Sequence, residues 1–306
     1  MKQRFPQASL GHLCADIGKS RQSYYERIWQ SRSEDCSINE VVQLVHQERK
    51  LLPRLGTRKL YHMLKQELEE RALKVGRDKL FTILREKHLL LGKKRKYVKT
   101  TMSKHWLKKY PNLIKDVSLE RPEQVFVSDI TYISTEAGFN YLSLVSDACS
   151  KKIMGYALSP HLGVEGCMTA LQMALADRRT DKPLIHHSDR GLQYCSKDYV
   201  GILNDHHVQI SMTTNGDPYE NAIAERMNGI LKEEFYCSST FADHQEAERH
   251  IAQSIKLYNT RRPHLSCYML TPETAHEKIS LSPKSWKTKK GLHVTSAAPL
   301  PLTQNL

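Results

Sequence analysis

Long apolar stretches are missing from this 306-residue chain, and their absence bounds its class. No run of ~18 apolar residues of the kind that spans a membrane is present, and the mean hydropathy is −0.55. The opening residues, Met1 to Pro6, are not followed by the apolar core of a signal peptide. We therefore expect a cytoplasmic protein with no membrane partner.

Cysteine is also used in a way that argues against two classes of scaffold. The chain has seven cysteines, an odd number, and no two of them form a C-x-x-C pair. A disulfide framework needs paired cysteines, and the common zinc fingers need closely spaced ones. The pattern favours reduced thiols.

Acidic residues are outnumbered by basic ones. The 46 Lys and Arg residues against 33 Asp and Glu residues give a net charge of +13 and a pI of about 9.3. This surplus favours a polyanionic partner, and nucleic acid is the commonest one. Charge alone leaves binding to a ribosome or to a membrane surface open.

The basic surplus is concentrated in residues 92–109, which contain eight basic residues and no acid. A solvated linker is one interpretation, but interleaved Tyr97 and Trp106 are typical of a segment that tracks a nucleic-acid backbone. We interpret residues 92–120 as a basic linker. Phosphate contacts are expected from the four residues that open its basic run, Lys93, Lys94, Arg95 and Lys96.

Two helical segments precede this linker. Residues 1–35 predict a helix-turn-helix with a turn at Gly18 and with Ser20 capping the second helix. Residues 36–91 predict a second small helical module with helices near 38–49, 57–69 and 77–87. Structural helix hairpins are common, so the pattern alone does not establish DNA binding. The exposed basic residues Arg21 and Arg58 are the candidates for DNA contact.

The pattern changes to α/β in residues 121–279. Strands are predicted near 125–134, 140–146, 153–158, 184–187 and 209–212, with helices near 163–178, 196–205 and 218–235. Three early strands followed by alternating strands and helices are the order of a ribonuclease H-like fold, a mixed five-stranded sheet flanked by helices. Residues 280–306 have no clear period, and we expect a flexible tail.

Three acids in this region are candidate catalytic residues. Asp129 interrupts a β-rich run, where a charge is costly unless something neutralises it. Asp189 closes a short apolar run, and Glu225 falls on a helix that we expect to begin at Asp217 as N-cap and Pro218 as first residue. That start would place Glu225 about two turns into the helix.

Carboxylates that converge repel one another unless they are protonated or bound to divalent cations. Oxygen-only ligands favour Mg²⁺ or Mn²⁺ over zinc. His186 and His187 precede Asp189, but successive strand residues point to opposite faces, which disfavours a shared metal ion. We expect one histidine to pack in the core and the other to face the acids.

The helix of Glu225 has one polar and one apolar face. Asn221, Asn228 and Lys232 project within roughly 60° of Glu225, whereas the apolar residues lie on the far side. An ordinary solvated face is the alternative. With the other acids nearby, we expect the three polar neighbours to contact DNA.

The order and spacing of the acids resemble those of DDE transposases and retroviral integrases, with 35 residues between Asp189 and Glu225. The segments SDITYI, HHSDRGLQYCS, ENAIAERMNGILKEE and YNTRRPHLSCYMLTPETA are similar, more narrowly, to the OrfB transposases of bacterial insertion sequences with two overlapping reading frames. The resemblance spans roughly residues 10–276. Phe126 and Arg226 stand where many members carry Trp and Ser, and both departures leave the acids untouched.

This resemblance implies a nucleoid-associated enzyme that binds the terminal inverted repeats of a mobile element and target double-stranded DNA as a homo-oligomer. It implies two Mg²⁺ or Mn²⁺ ions bridged by Asp129 and flanked by Asp189 and Glu225, with in-line attack of water or a 3′-hydroxyl on a phosphodiester. Lys232 would hold the DNA backbone. Many members act as a fusion with the product of the upstream frame.

Three other functions stay open on the sequence. A ribonuclease H-like nuclease would carry the same acids without joining DNA, and a non-catalytic regulator would bind DNA alone. The cluster Tyr258, Arg261 and His264 has the residue types of a tyrosine recombinase. It also resembles the family's C-terminal YN-x-x-RPH box, which we expect to dock the final helix onto the core.

Overall fold

The computed structural model describes residues 6–92, 106–115, 117–214 and 221–278, without the side chains of residues 31–33. No helix within these ranges is long and apolar enough to cross a membrane. Lys93, Lys94, Arg95 and Lys96 of the predicted linker lie outside the described residues, as do the predicted cap Asp217–Pro218 and the tail.

Four helices form the N-terminal part of the chain. They are α1 (Leu10–Asp16), α2 (Arg21–Leu51), α3 (Thr57–Glu70) and α4 (Arg77–Glu86). The turn after α1 uses Gly18 at φ 64, a left-handed conformation that favours glycine. Ser20 caps α2 as predicted, with its hydroxyl oxygen accepting a 3.0 Å hydrogen bond from the Ser23 amide.

Helix α2 is longer than the sequence pattern suggested. It runs without a break from Arg21 to Leu51, so the predicted boundary between residues 35 and 36 falls inside it. The residues around this boundary include no proline or glycine to end a helix. The two predicted N-terminal segments therefore share one helix.

The part of the chain that follows these helices is built on a mixed five-stranded sheet. The strands are β1 (Val125–Thr135), β2 (Gly138–Asp147), β3 (Ile153–Ser159), β4 (Ile185–Ser188) and β5 (Gln209–Met212). Their order is β3-β2-β1-β4-β5, with β1, β2 and β3 antiparallel and β4 and β5 parallel to β1. This is the predicted ribonuclease H-like arrangement, and the fold prediction is confirmed.

Helices cover both faces of the sheet. They are α5 (Val164–Ala176), α6 (Lys197–Asp205), α7 (Ala222–Glu234), α8 (His244–Thr260) and α9 (Pro272–Glu277), with a 3₁₀ turn at Leu265–Cys267. Phe126 and Val145 pack with α5 and α6, whereas Ile133 and Leu142 pack with α7 and α8. Alternate residues of each strand thus face different helical layers.

The N-terminal helices and the α7–α8 layer share one apolar core. Leu44, Leu60 and Leu84 of the first group belong to the same contiguous cluster as Ile230 and Ile255 of the second. A contiguous cluster of buried apolar side chains holds two parts of a chain together more strongly than scattered surface contacts do. The helical module formed by α2, α3 and α4 is therefore packed on the domain that contains the sheet.

Candidate active site

Asp129 and Asp189 occupy equivalent positions on neighbouring parallel strands. The ladder between β1 and β4 pairs Val127 with His187, and each acid lies two residues beyond this pair. Parallel strands lie about 4.8 Å apart, so both acids reach the same edge of the sheet.

Glu225 approaches this edge from helix α7. The described helix begins at Ala222 with Asn221 as N-cap, which places Glu225 in the first turn rather than two turns in. The prediction that Glu225 lies two turns into its helix is therefore wrong for the described helix. The expected start at Asp217 lies outside the described residues. Glu225 is exposed.

The three acids are electrostatically coupled. Burial, followed by the charges of Asp189 and Glu225, raises the pKa of Asp129 to about 7, against the opposing hydrogen bonds from Asn228 and the backbone at Ile130. This pKa means that the metal-free site disfavours three simultaneous negative charges. The structure thus brings the predicted acids into one electrostatic site.

The donor chemistry fits a hard divalent cation. Carboxylate oxygens are the ligands that Mg²⁺ and Mn²⁺ prefer, and a cation would compensate the repulsion among these acids. Within the part of the chain that the structure describes, no three His, Cys, Asp or Glu side chains are grouped closely enough to hold one metal ion. The acids therefore form a coupled set rather than a closed coordination shell.

Gly191, two residues after Asp189, helps to orient the carboxylate of that acid. The backbone N–H of Gly191 donates a 2.9 Å hydrogen bond to Oδ1 of Asp189. A Cβ at residue 191 would lie 3.0 Å from the same oxygen, so a side chain there would crowd the carboxylate. Gly191 was not among the residues predicted from the sequence, although its place two residues after an acid is typical of an Asx-type turn.

Asn221 and Asn228 do not lie on an exposed DNA-binding face. Each is 5% exposed. The Asn228 amide donates to Oδ2 of Asp129 at 2.8 Å, and the Asn221 amide donates to the Ser128 carbonyl at 3.4 Å. Because both donors are used within the protein, the interpretation of these two residues as DNA contacts is corrected: they tie α7 to β1.

The remaining basic candidates differ in their surroundings. Lys232 is half-buried, and burial lowers its pKa while the charge of Asp129 acts to raise it. This coupling places its ammonium group within electrostatic reach of Asp129. Arg21 and Arg58 are exposed in the first turns of α2 and α3, so both are accessible to a partner.

The two histidines before Asp189 are buried and hydrogen-bonded within the fold. His186 Nε2 lies 2.8 Å from the Ser128 hydroxyl and 2.9 Å from the Tyr199 hydroxyl. Burial, together with His187, lowers the pKa of His186 to about 3. His187 Nδ1 lies 2.8 Å from the Ser211 hydroxyl. His186 therefore has the packing role expected of one histidine, and His187, which lies two residues before Asp189, is buried as well.

The YN-x-x-RPH box docks the end of α8 onto the core, as predicted. The Tyr258 hydroxyl donates to the Lys151 carbonyl at 2.7 Å, and the Asn259 amide bonds both backbone groups of Ile153. Tyr258 is fully buried, and burial raises the pKa of its hydroxyl. A tyrosine in this position is a structural anchor rather than a nucleophile.

Family models match this region of the chain. A model described as "Integrase core domain" matches residues 120–218, and a second model with the same description matches residues 206–272. Together they include all three acids.

Two curated relatives align with this chain over most of their length. The chain is 35% identical to the "Insertion element IS600 uncharacterized 31 kDa protein" of Shigella sonnei, over 87% of this chain and 98% of that protein. It is 34% identical to "Transposase InsF for insertion sequence IS3A" of Escherichia coli (strain K12), over 64% of this chain and 68% of that protein. A solved structure, the HTLV-2 integrase catalytic core domain in complex with magnesium, matches with a TM-score of 0.42 at 17% identity, covering 51% of this chain and 98% of that one.

Proposed function

This chain belongs to the OrfB-type DDE transposases of bacterial insertion sequences related to IS3, and from that premise we propose that it cuts the ends of a mobile element and joins them to target DNA. The observation that most supports this proposal is the placement of Asp129 and Asp189 at equivalent positions of adjacent strands, with Glu225 electrostatically coupled to Asp129. The proposed reaction is an in-line attack of water, and then of a 3′-hydroxyl, on a phosphodiester.

Asp129, Asp189 and Glu225 would hold Mg²⁺ or Mn²⁺, two ions in this proposal. When bound, such ions supply Lewis-acid activation of the attacking oxygen and stabilise the leaving oxygen. Around them, Asn228 orients the Asp129 carboxylate and the Gly191 amide orients that of Asp189. The ammonium group of Lys232 would bind the DNA backbone beside the acids.

The proposed partners are the element's terminal inverted repeats and a target duplex. The first turns of α2 and α3, which present Arg21 and Arg58, would contact the ends, and the basic linker would track phosphates. Pairing two ends requires at least two copies, so we propose a homo-oligomer on DNA, formed by this chain or by its fusion with an upstream-frame product. Binding to chromosomal DNA would place it at the nucleoid.

A strand-transfer assay tests this function. Labelled DNA carrying the ends of the element is incubated with the protein, Mg²⁺ and supercoiled target. We expect joined products. Nicked ends without joining would instead support a ribonuclease H-like nuclease, and binding without cleavage would support a non-catalytic regulator.

A further inference from the structure

An ion triad lies at the end of α7 that is remote from the acids. Glu234 accepts hydrogen bonds from Arg262 through both carboxylate oxygens, each at 2.7 Å. Lys59 Nζ lies 3.3 Å from Oε1 of the same carboxylate. The side chains of Lys59 and Arg262 are 10% and 2% exposed, so the triad is largely withdrawn from water.

The triad joins three separate parts of the chain. Lys59 lies on α3 of the helical module, Glu234 ends the helix that carries Glu225, and Arg262 follows α8. Two further contacts cross the same junction. The Arg54 amide donates to the Glu234 carbonyl at 3.3 Å, and Arg261 pairs with Glu48 at 2.7 Å.

Stability alone is a poor reason for this arrangement. Burial and the neighbouring charge of Arg262 together lower the pKa of Lys59 to about 8, although Glu234 acts to raise it, so the site disfavours the ammonium form relative to water. Replacing a buried ion pair or triad by apolar side chains of similar volume is often neutral or stabilising. Leu60, Ile230 and Leu231 already supply apolar packing at the junction.

Geometry is what the triad adds. An Arg–carboxylate pair with two parallel hydrogen bonds fixes both direction and distance, which apolar contacts do not. Glu225 and Glu234 are nine residues apart on one helix, roughly 13.5 Å at 1.5 Å per residue. A displacement at one end of such a short helix is carried to the other end.

We propose that Lys59, Glu234 and Arg262 act as positioning residues through which the helical module sets the placement of Glu225 in the active site. Binding of an element end to the module would then be passed through α7 to the catalytic edge. This proposal rests on the proposed function, because it takes Glu225 to participate in DNA cleavage. The coupling between α3 and α7 is independent of it.

The test uses Lys59→Met, which leaves the Glu234–Arg262 pair intact and charge-balanced. The free energy of unfolding should be unchanged or higher. End cleavage at saturating DNA should fall about tenfold, the Mg²⁺ concentration for half-maximal rate should rise several-fold, and DNA affinity should change less than twofold. Backbone amides of residues 222–228 should exchange hydrogen about tenfold faster than in the wild type. Lys59→Arg, which keeps the positive charge, should retain slow exchange and wild-type cleavage.

Arg71→Met is the matched control. Arg71 pairs with Glu40 at 3.0 Å and Glu67 at 2.6 Å in an exposed ion cluster of the same module. Its loss should leave cleavage and α7 exchange unchanged.

Two outcomes of the Lys59→Met experiment overturn the proposal. If Lys59→Met keeps wild-type exchange and Mg²⁺ dependence, α7 does not sense the triad. If it fails to fold, the triad serves the fold instead. If the unaltered protein does not cleave, the proposed function fails while hydrogen exchange still tests the coupling.

Discussion

Asn228 donates a 2.8 Å hydrogen bond to Oδ2 of Asp129 across the contact between α7 and β1. The residue is 5% exposed, and its Oδ1 is buried with no hydrogen-bond partner in the described part of the chain. The amide therefore orients the carboxylate of Asp129. It also lowers the pKa of Asp129 against the larger effect of burial.

Asn228→Ala should lower end cleavage about 10- to 100-fold, the range seen when groups that orient metal ligands are removed. DNA affinity should be nearly unchanged, because the side chain is buried. Cleavage rate at saturating DNA and fluorescence anisotropy separate the two quantities. Gly229→Ala is the control, since a Cβ there meets nothing within 4 Å. Weakened binding with an unchanged rate would make Asn228 a DNA contact after all.

Asp189→Asn should abolish detectable cleavage and leave end binding nearly intact. The amide oxygen can still accept from the Gly191 N–H, but the negative charge that a divalent cation needs is gone. Gel-shift and cleavage assays on the same DNA ends measure both properties. Asp181→Asn, an exposed acid outside the site, is the control. Retained cleavage would contradict the catalytic assignment.

Asp129→Asn should change how the stability of the metal-free protein depends on pH. Burial raises the pKa of Asp129 from 3.8 to about 7 in the folded state. Between these values the folded chain holds a proton that the unfolded chain has lost, so the unfolding free energy falls as pH rises, by at most about 1.4 kcal/mol per unit. The asparagine variant lacks this loss and should be the more stable protein at pH 8.

Urea unfolding at pH 4 and pH 8 in the presence of EDTA measures this difference. The two proteins should be close in stability at pH 4, and addition of Mg²⁺ at pH 8 should stabilise the wild type more than the variant. Equal pH dependence of wild type and variant would mean that Asp129 is not the group that loses its proton in this range.

The acids could be found from the sequence because each leaves a local signal. Asp129 interrupts a β-rich run, and helical periodicity places Glu225 away from Met227 and Ile230. The role of Asn228 could not be found in the same way. An amide at that spacing has the same pattern whether it faces solvent or another strand, and only the packing of α7 on β1 decides.

Contacts between distant parts of the chain also leave no local signal. Lys59 and Glu234 are 175 residues apart, and each by itself is an ordinary charged residue on a helix. The continuity of α2 was missed for the opposite reason. The polar residues near 30–37 lack the apolar period of a helix, yet nothing in them ends one.

Arg58→Ala should weaken DNA binding through loss of a phosphate contact. Arg58 is exposed in the first turn of α3, next to the buried Lys59. Removing one such contact reduces the slope of log affinity against log salt by about 1. Cleavage at saturating DNA should be unaffected. Lys65→Ala, which removes an exposed cation paired with Glu69 on the same helix, is the control. An unchanged salt slope would exclude Arg58 from the interface.

Gly155→Ala should destabilise the catalytic core. Gly155 lies on β3 where α5 crosses it, and a Cβ there would come within 2.0 Å of the Ala170 carbonyl oxygen and 2.8 Å of the Ala174 amide nitrogen. Both are backbone atoms of α5, so the helix itself must move. Overpacking of this kind costs about 1–3 kcal/mol and occasionally more. A Cβ added at Gly201 on α6 meets nothing within 4 Å. Gly201→Ala should therefore stabilise the folded protein by roughly 0.5–1 kcal/mol through helix propensity. The midpoints of urea unfolding should move in opposite directions for the two variants, because close backbone contact, rather than the loss of a glycine, sets the sign.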